Sequence, residues 1–208
     1  MKISVIGSGY VGIVTALGFA DKNFIVNNID IDEKKVEKIK NKQLIINEPG
    51  LKKLLLKQIN KNYFISDKYE ECIKSDCIFL AVNTPHKKNG IDLSYLTLAC
   101  KKIKYLITKL KVKKKIIIVI KSTVIPGTLE KKIKPIFKDI KNLYVANNPE
   151  FLREGSAVKD FVDSDRIIIG SKEKFVIKNL SKIYKKFKGK KLFFTPTEAE
   201  LCKYFSNI

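Results

Sequence analysis

Lys2-Ile3-Ser4-Val5-Ile6-Gly7-Ser8-Gly9-Tyr10-Val11-Gly12 opens the chain just after Met1, a β-branched apolar run flowing into a glycine-spaced turn. An apolar segment, Ile13 to Phe19, follows, and a second apolar run, Phe24 to Ile29, ends on Asp30. Run, turn, segment and run predict strand, turn, helix and strand. Gly7 allows the tight turn, Gly9 lets backbone approach a diphosphate, and Gly12 seats the helix against the strand. Free N–H groups at the positive end of that helix would face the diphosphate. Asp30 stands 23 positions beyond Gly7, about where a ribose 2′-hydroxyl needs an acceptor. A carboxylate there favours NAD and repels the 2′-phosphate of NADP.

Outward from this unit the pattern repeats. Asp32 reads as the cap of a short helix to about residue 41. Pro49-Gly50 marks a turn, after which Leu51, Leu54, Leu55 and Ile59 recur at helical spacing. Strands are expected over 63–65, 76–82, 115–120 and 143–146. Helices are expected briefly after Asp67, over 93–110, and from Pro126-Gly127 to about Phe137. Residues 147–164 are polar. A strand over 166–169, a helix over 173–187, a strand over 191–194 and a helix from Pro196 complete the series. Such alternation predicts an α/β fold, a doubly wound, Rossmann-like parallel sheet with right-handed crossovers.

With 208 residues, 45% of them hydrophobic, the chain can bury a substantial core. The formal net charge of +21 invites a nucleic-acid reading. Against it, the lysines are scattered through nearly every amphipathic segment, and only Arg153 and Arg166 supply the forked guanidinium that base and phosphate readers favour. The lysines therefore read as solvated helix faces, with no specific nucleic-acid partner, though polyanions should still attract at low salt. Cys72, Cys77, Cys100 and Cys202 form no C-x-x-C pair and no metal-ligand spacing, so no metal is expected. There is no apolar run of about 18 residues and no leader-like segment, so the expectation is a soluble, cytoplasmic chain without a membrane partner.

In a doubly wound sheet, ligands lie beyond the carboxyl ends of the strands. Those ends carry Gly7 to Gly12, Asp30, Val82-Asn83-Thr84-Pro85, Lys121-Ser122-Thr123 and Asn147-Asn148-Pro149-Glu150. Thr84 and Thr123 can each offer a hydroxyl to a ribose, an amide or a water. Singly, each is equally an ordinary strand-end residue; their convergence is what points to a site.

Asn148-Pro149-Glu150-Phe151-Leu152-Arg153-Glu154-Gly155-Ser156-Ala157, then Asp160-Phe161, then Asp165-Arg166-Ile167-Ile168-Ile169-Gly170, closely resembles the signature of the UDP-glucose/GDP-mannose dehydrogenase family. Val5 to Gly12, Val82 to Pro85 and Lys121-Ser122-Thr123-Val124 fit that family in the same order. The tail from Glu200 resembles the start of its central helix. The resemblance implies NAD-dependent, four-electron oxidation of a sugar-nucleotide alcohol to the acid, with the Arg153–Ala157 and Asp165–Ile167 wording nearer the UDP-glucose branch. It implies that Gly7, Ser8, Gly9, Tyr10, Val11, Gly12, Asp30, Lys35, Val82, Asn83, Thr84, Pro85, Ser122, Thr123, Val124 and Glu154 contact NAD. Glu150 would be the acid/base acting on a water, helped by Thr123. Phe151, Leu152, Arg153 and Glu154, with Glu150, Lys203 and Asn207, would line the sugar-nucleotide site, and Lys203 and Asn207 would hold the developing oxyanion. Four positions apart, that ammonium and amide share one helix face. On the residues alone, Glu150 and Glu154 read equally well as a solvated i, i+4 pair beside Arg153.

The same resemblance divides the chain into an NAD-binding domain, 1–195, and the start of a central, dimerising helix, 196–208, with a homodimer expected of a full-length protein. It also implies a cysteine nucleophile in a later glycine-rich segment and a C-terminal sugar-nucleotide domain. Neither occurs in these 208 residues, so the chain is expected to keep the NAD half of the site and to lack covalent capture of the aldehyde. Cys202 adjoins Lys203 but projects about 100° away around the helix. His86, the only histidine, stands where the family commonly has a small hydroxyl residue; an exposed turn position suits it better than a general base. Two further readings stay open: an NAD-binding module without activity, and a basic nucleic-acid binder on a Rossmann scaffold.

Overall fold

The run Ile116-Ile117-Ile118-Val119-Ile120 is apolar on both faces of an extended chain, so it must lie within a sheet covered on two sides. In the computed structural model, which describes residues 1–88 and 90–206, it does. Ile117 and Val119 enter one core, and Ile116, Ile118 and Ile120 enter a second core on the opposite face. Cys77 and Phe79 divide from Ile78 and Leu80 in the same way, the period-two alternation of a pleated strand.

The elements in chain order are β1 (Lys2–Ile6), α1 (Tyr10–Asp21), β2 (Ile25–Ile29), α2 (Glu33–Lys40), α3 (Leu51–Gln58), β3 (Tyr63–Ser66), β4 (Cys77–Leu80), β5 (His86–Lys87), β6 (Gly90–Ile91), α4 (Ser94–Lys109), β7 (Ile116–Ile120), β8 (Leu143–Asn147), α5 (Ala157–Val162), β9 (Arg166–Gly170), α6 (Lys174–Tyr184), β10 (Lys190–Phe194) and α7 (Pro196–Phe205). The main sheet runs β10-β9-β8-β7-β4-β1-β2-β3. From β3 to β8 every pairing is parallel. Strand order reverses between β1 and β4, the crevice in which a doubly wound sheet receives its ligand.

Several elements depart from the sequence expectation. β9 runs antiparallel to β8, meeting it at the single register pair Asn147 and Gly170, and β10 follows β9 in parallel. The sheet is therefore mixed at one edge. The polar stretch after β8 holds the six-residue α5 in place of a full crossover helix, and the Asn148 amide donates to the Ile168 carbonyl to join the strands. The helix expected up to Phe137 is a π-helical turn over Leu129–Ile133 followed by a 3-10 turn over Lys134–Phe137. Pro135 has no N–H for the regular ladder, which forces the change. The brief helix after Asp67 is a 3-10 turn, Tyr69–Lys74.

Helix α1 is apolar all round, and Gly12 through Ala20 are buried. Gly18 lets α5 close on it: a Cβ there would stand 2.2 Å from the Phe161 ring. Phe19 then sits against Phe24, Phe79, Phe161, Tyr184 and Phe187, with ring centroids 4.9 to 6.2 Å apart. Aromatic contact thus ties α1 to α5, β4 and α6.

Candidate active site

The glycine turn takes its shape from neighbours far away in sequence. Gly7 adopts φ +98°, and a Cβ on it would stand 2.5 Å from the Ala81 carbonyl oxygen; a Cβ on Gly12 would stand 2.1 Å from the Gly7 carbonyl oxygen. Buried Asn28 donates to the carbonyls of both Val5 and Gly7 at 2.9 Å, and Tyr63 hydroxyl donates to Asn28 Oδ1 at 2.9 Å. The turn is held before any ligand arrives. Gly9 is different. It starts α1 at φ −66° with no side-chain cap, and a Cβ there would meet nothing within 4 Å. That open space beside uncapped N–H groups is what a diphosphate requires.

A cleft of about 500 Å³ opens from this turn, lined by Gly7, Gly9, Asp30, Lys35, Val82 and Asn83, and walled farther out by Tyr69, Leu98 and Lys102. Asp30 is 8% exposed. Its Oδ2 accepts from the Ser8 N–H and the Ser8 hydroxyl, both at 2.6 Å, and its Oδ1 accepts from the Asp32 N–H at 3.0 Å. The carboxylate is therefore fixed at the cleft floor, with Oδ1 the less occupied oxygen. Ser8 is wholly buried and turned to Asp30. Lys35 stands in the cleft wall, 3.8 Å from the Asp32 carboxylate. These residues fit the adenosine and diphosphate part of NAD.

The other expected contacts form a second tier. Thr84 hydroxyl donates to the Thr123 carbonyl at 2.7 Å, and Ser122 hydroxyl donates to the Val82 carbonyl at 2.6 Å. Both hydroxyls thus bind the two strand-end loops to each other. Val124 is buried, while Asn83 and Pro85 are exposed at the rim. His86 is exposed in the two-residue strand β5, paired with Ile91.

Glu150 and Lys203 meet. Their side chains, 11% and 8% exposed, form an ion pair at 3.0 Å, and Glu150 also accepts from the Leu152 N–H at 2.6 Å. Helix α7 aims Lys203. A Thr195–Glu198 capping box starts the helix, and Glu200, three residues before Lys203, accepts from the N–H groups of Gly127 and Leu129. Burial holds the Glu200 carboxyl above its ordinary range, although the Leu129, Asn147 and Gly127 hydrogen bonds pull the other way. Gly170 permits the close approach of α7, since a Cβ there would stand 2.5 Å from the Ala199 Cβ. Phe151 packs beside the pair, with Lys203 Nζ 5.5 Å and Arg166 4.7 Å from its ring centre. A cavity of about 490 Å³ lies here, lined by Phe151, Leu152, Arg153, Arg166 and Lys203 among others. Arg153 forks onto Asp160 at 2.8 and 3.1 Å, holding that carboxyl down at about 2. Glu154 is exposed and has no ion pair or hydrogen bond among the described residues. Asn207 lies outside the described residues.

Two polar groups have a burial and a set of partners that the sequence pattern does not reveal. Lys121, at the end of β7, reaches Asn148 Oδ1 at 3.1 Å and lines a small cavity with Glu150 and Phe151. Burial is the main cause that brings its ammonium down to about 8, with Glu150 opposing and Lys203 adding to the fall. Glu48, just before the Pro49-Gly50 turn, accepts from Tyr10 hydroxyl at 2.7 Å, Gly155 N–H at 3.0 Å and Ala157 N–H at 2.7 Å. Burial alone would raise its pKa, but these donors outweigh it and hold the carboxyl below its usual range. A glutamate before Pro-Gly signals a turn; nothing in that signal reaches residues a hundred positions later.

Among known proteins, the profile of the NAD-binding domain of the UDP-glucose/GDP-mannose dehydrogenase family matches residues 1–188. An uncharacterised protein of Methanocaldococcus jannaschii is 45% identical over all of this chain and 23% of its own length. The UDP-glucose 6-dehydrogenase of Rickettsia bellii is 39% identical over all of this chain and 48% of its own. A crystal structure of a ternary complex of GDP-mannose dehydrogenase from Pseudomonas aeruginosa superposes with a TM-score of 0.94 at 32% identity, covering all of this chain and 49% of that one. The chain spans about half the length of the named dehydrogenases it matches.

Proposed function

Since the chain belongs to the UDP-glucose/GDP-mannose dehydrogenase family and comprises its NAD-binding domain, we propose that it is the NAD-binding, proton-handling part of an enzyme that oxidises a sugar nucleotide, UDP-glucose in the first instance. The observation that carries the proposal is the buried Glu150–Lys203 pair set at the same carboxyl edge as the glycine-turn cleft. NAD, when bound, supplies the hydride acceptor. Everything else falls to side chains. The alcohol proton needs a base, and Glu150, acting on a water with the help that the family resemblance assigns to Thr123, takes that role. The Lys203 ammonium faces the oxygen that gains negative charge, a role that the family resemblance extends to Asn207. Phe151, Leu152 and Arg153 shape the pocket wall, and Asp30 and Lys35 address the ribose. Residues 1–195 form the cofactor domain, and α7 begins the helix that a full-length homodimer would share. Leu201, Tyr204 and Phe205 stand exposed on α7 in support of that. Four free thiols suit the reducing cytoplasm.

A second reading, an NAD-binding unit without complete turnover, draws on the thiols. Burial pushes Cys72, Cys77 and Cys100 up to about 12, out of nucleophilic range. Calorimetric titration tests the shared premise: Asp30→Ala should weaken NAD by about 1–3 kcal/mol, the worth of hydrogen bonds to a charged acceptor. Equal affinities would refute the ribose assignment. Reduced-nicotinamide absorbance on adding UDP-glucose then separates an active part from a binding unit.

A further inference from the structure

Glu48 joins two parts of the molecule that have different tasks. On one side is Tyr10, the first residue of α1, whose backbone belongs to the turn that receives the diphosphate. On the other is the loop after Glu150, whose Phe151, Leu152 and Arg153 wall the neighbouring pocket. The Glu48 carboxylate is 4% exposed. Its Oε2 takes the Tyr10 hydroxyl and the Gly155 N–H, and its Oε1 takes the Ala157 N–H that opens α5. The Tyr10 hydroxyl also reaches the Arg153 carbonyl at 3.2 Å. A buried carboxylate with its donors supplied is stable where it stands, and removing any one donor leaves charge poorly satisfied. Among the described residues the loop has no other such anchor near Gly155. Its remaining bonds are local, from Arg153 and Ser156 to Asp160.

We propose that Glu48 is a positioning residue which couples the cofactor turn to the pocket loop, so that a dinucleotide held at Gly9 and Tyr10 also holds Arg153 to Ala157 in place. The inference rests on the NAD reading of the turn. The physical route is short. A diphosphate bound by the first amides of α1 restricts the Tyr10 backbone, the ring carries that restriction to its hydroxyl, and Glu48 passes it to two loop amides. Coupling of this kind is reciprocal: whatever NAD adds to the loop's closure, the closed loop adds to NAD affinity.

Amide exchange of Gly155 and Ala157, followed by NMR with and without NAD, tests it. In the unaltered chain NAD should slow both amides by about tenfold, within the range of ordinary coupling between sites. In Glu48→Gln one of the two acceptor oxygens becomes an NH2 donor and the charge is lost, so the two loop amides, which sit on different oxygens, cannot both keep their acceptor. The amide left facing the NH2 should then exchange fast and ignore NAD, while NAD still raises the melting temperature. Loop amides indifferent to NAD in the unaltered chain would overturn the inference, and so would a variant in which both amides still respond. The unaltered chain decides the matter even if Glu48→Gln fails to fold. If NAD produces no melting shift in the unaltered chain, the cofactor reading itself falls.

Discussion

A buried ammonium without a carboxylate in contact is costly, and Lys121 is in that position. It is 4% exposed, its hydrogen-bond partners are the carbonyl oxygens of Asn148, and its pKa is drawn down from 10.5 to about 8 by burial. Below pH 8 it is charged whether the chain is folded or not, so the cost of burying the charge is present in full. Between about 8 and 10.5 the unfolded chain holds a proton that the folded chain has released, so this group's contribution to stability rises with pH across that window. The shift corresponds to about 3 kcal/mol at neutral pH. Lys121→Met keeps the length and removes the charge; the loss of a hydrogen bond to Asn148 offsets about 1 kcal/mol of the gain. The variant should therefore be more stable than the parent at pH 7, by up to about 2 kcal/mol. The difference should shrink, then reverse, as pH climbs towards 10.5. Urea unfolding of both proteins at three pH values measures it, and a gap that stays constant with pH would contradict the assignment of a buried charge.

At the level of elements, the strand–turn–helix unit can be taken apart by its own glycines. Gly9 and Gly12 look alike in the sequence, but their surroundings give them opposite consequences. A methyl on Gly12 would collide with the Gly7 carbonyl at 2.1 Å, and backbone cannot yield as a side-chain tip does. Gly12→Ala should cost about 3 kcal/mol or more. A methyl on Gly9 meets only open space at an ordinary φ of −66°. Gly9→Ala should leave stability unchanged or raise it by a few tenths of a kcal/mol, yet weaken NAD by intruding on the diphosphate's place. Denaturant midpoints and NAD titrations on the two variants separate the roles; a stable Gly12→Ala or an unaltered NAD affinity for Gly9→Ala would overturn them. The same unit shows why some elements were legible. Strand β7 and helix α1 carry long, unbroken apolar signals that tertiary packing has no reason to override. Helix α5, six residues in a polar stretch, has no such period, and depends on Phe161 entering the space above Gly18 and on Glu48 holding its first amide. The reversed direction of β9 is likewise absent from local patterning, because Arg166–Gly170 reads as a strand in either sense.

For the molecule as a whole, the cleft was the legible part of the site because one continuous stretch, residues 2–30, supplies its glycine turn and its acid, Asp30, while the outer walls come from later elements. The Glu150–Lys203 pair joins positions 53 apart, and only the family resemblance links them in the sequence; Glu48 carries no sequence signal, and Lys121 is marked there as a strand-end residue but not as a buried one. Charge is also a property of the whole. Ten ion pairs occur among the described residues, and only Glu150–Lys203 is buried on both sides. Exposed pairs contribute about 0–1 kcal/mol each and fade with salt. Opposing them is a net charge of +21, whose self-repulsion acts on the compact state and is also screened by salt. The two effects have opposite signs, and magnitude decides between them. The carboxylates number 21 against 42 cationic side chains, so every exposed pair still sits in a surplus of positive neighbours, and relief of repulsion should win. Raising ionic strength from about 0.01 M to 0.1 M, which shortens the screening length from about 30 Å to 10 Å, should therefore raise the melting temperature. Circular-dichroism melts in sodium chloride measure it, with chloride chosen because sulfate would also strengthen apolar burial. A melting temperature that falls over this range would mean that the lysines are spaced and paired well enough for attraction to dominate, and the solvated-face account of the excess charge would have to give way.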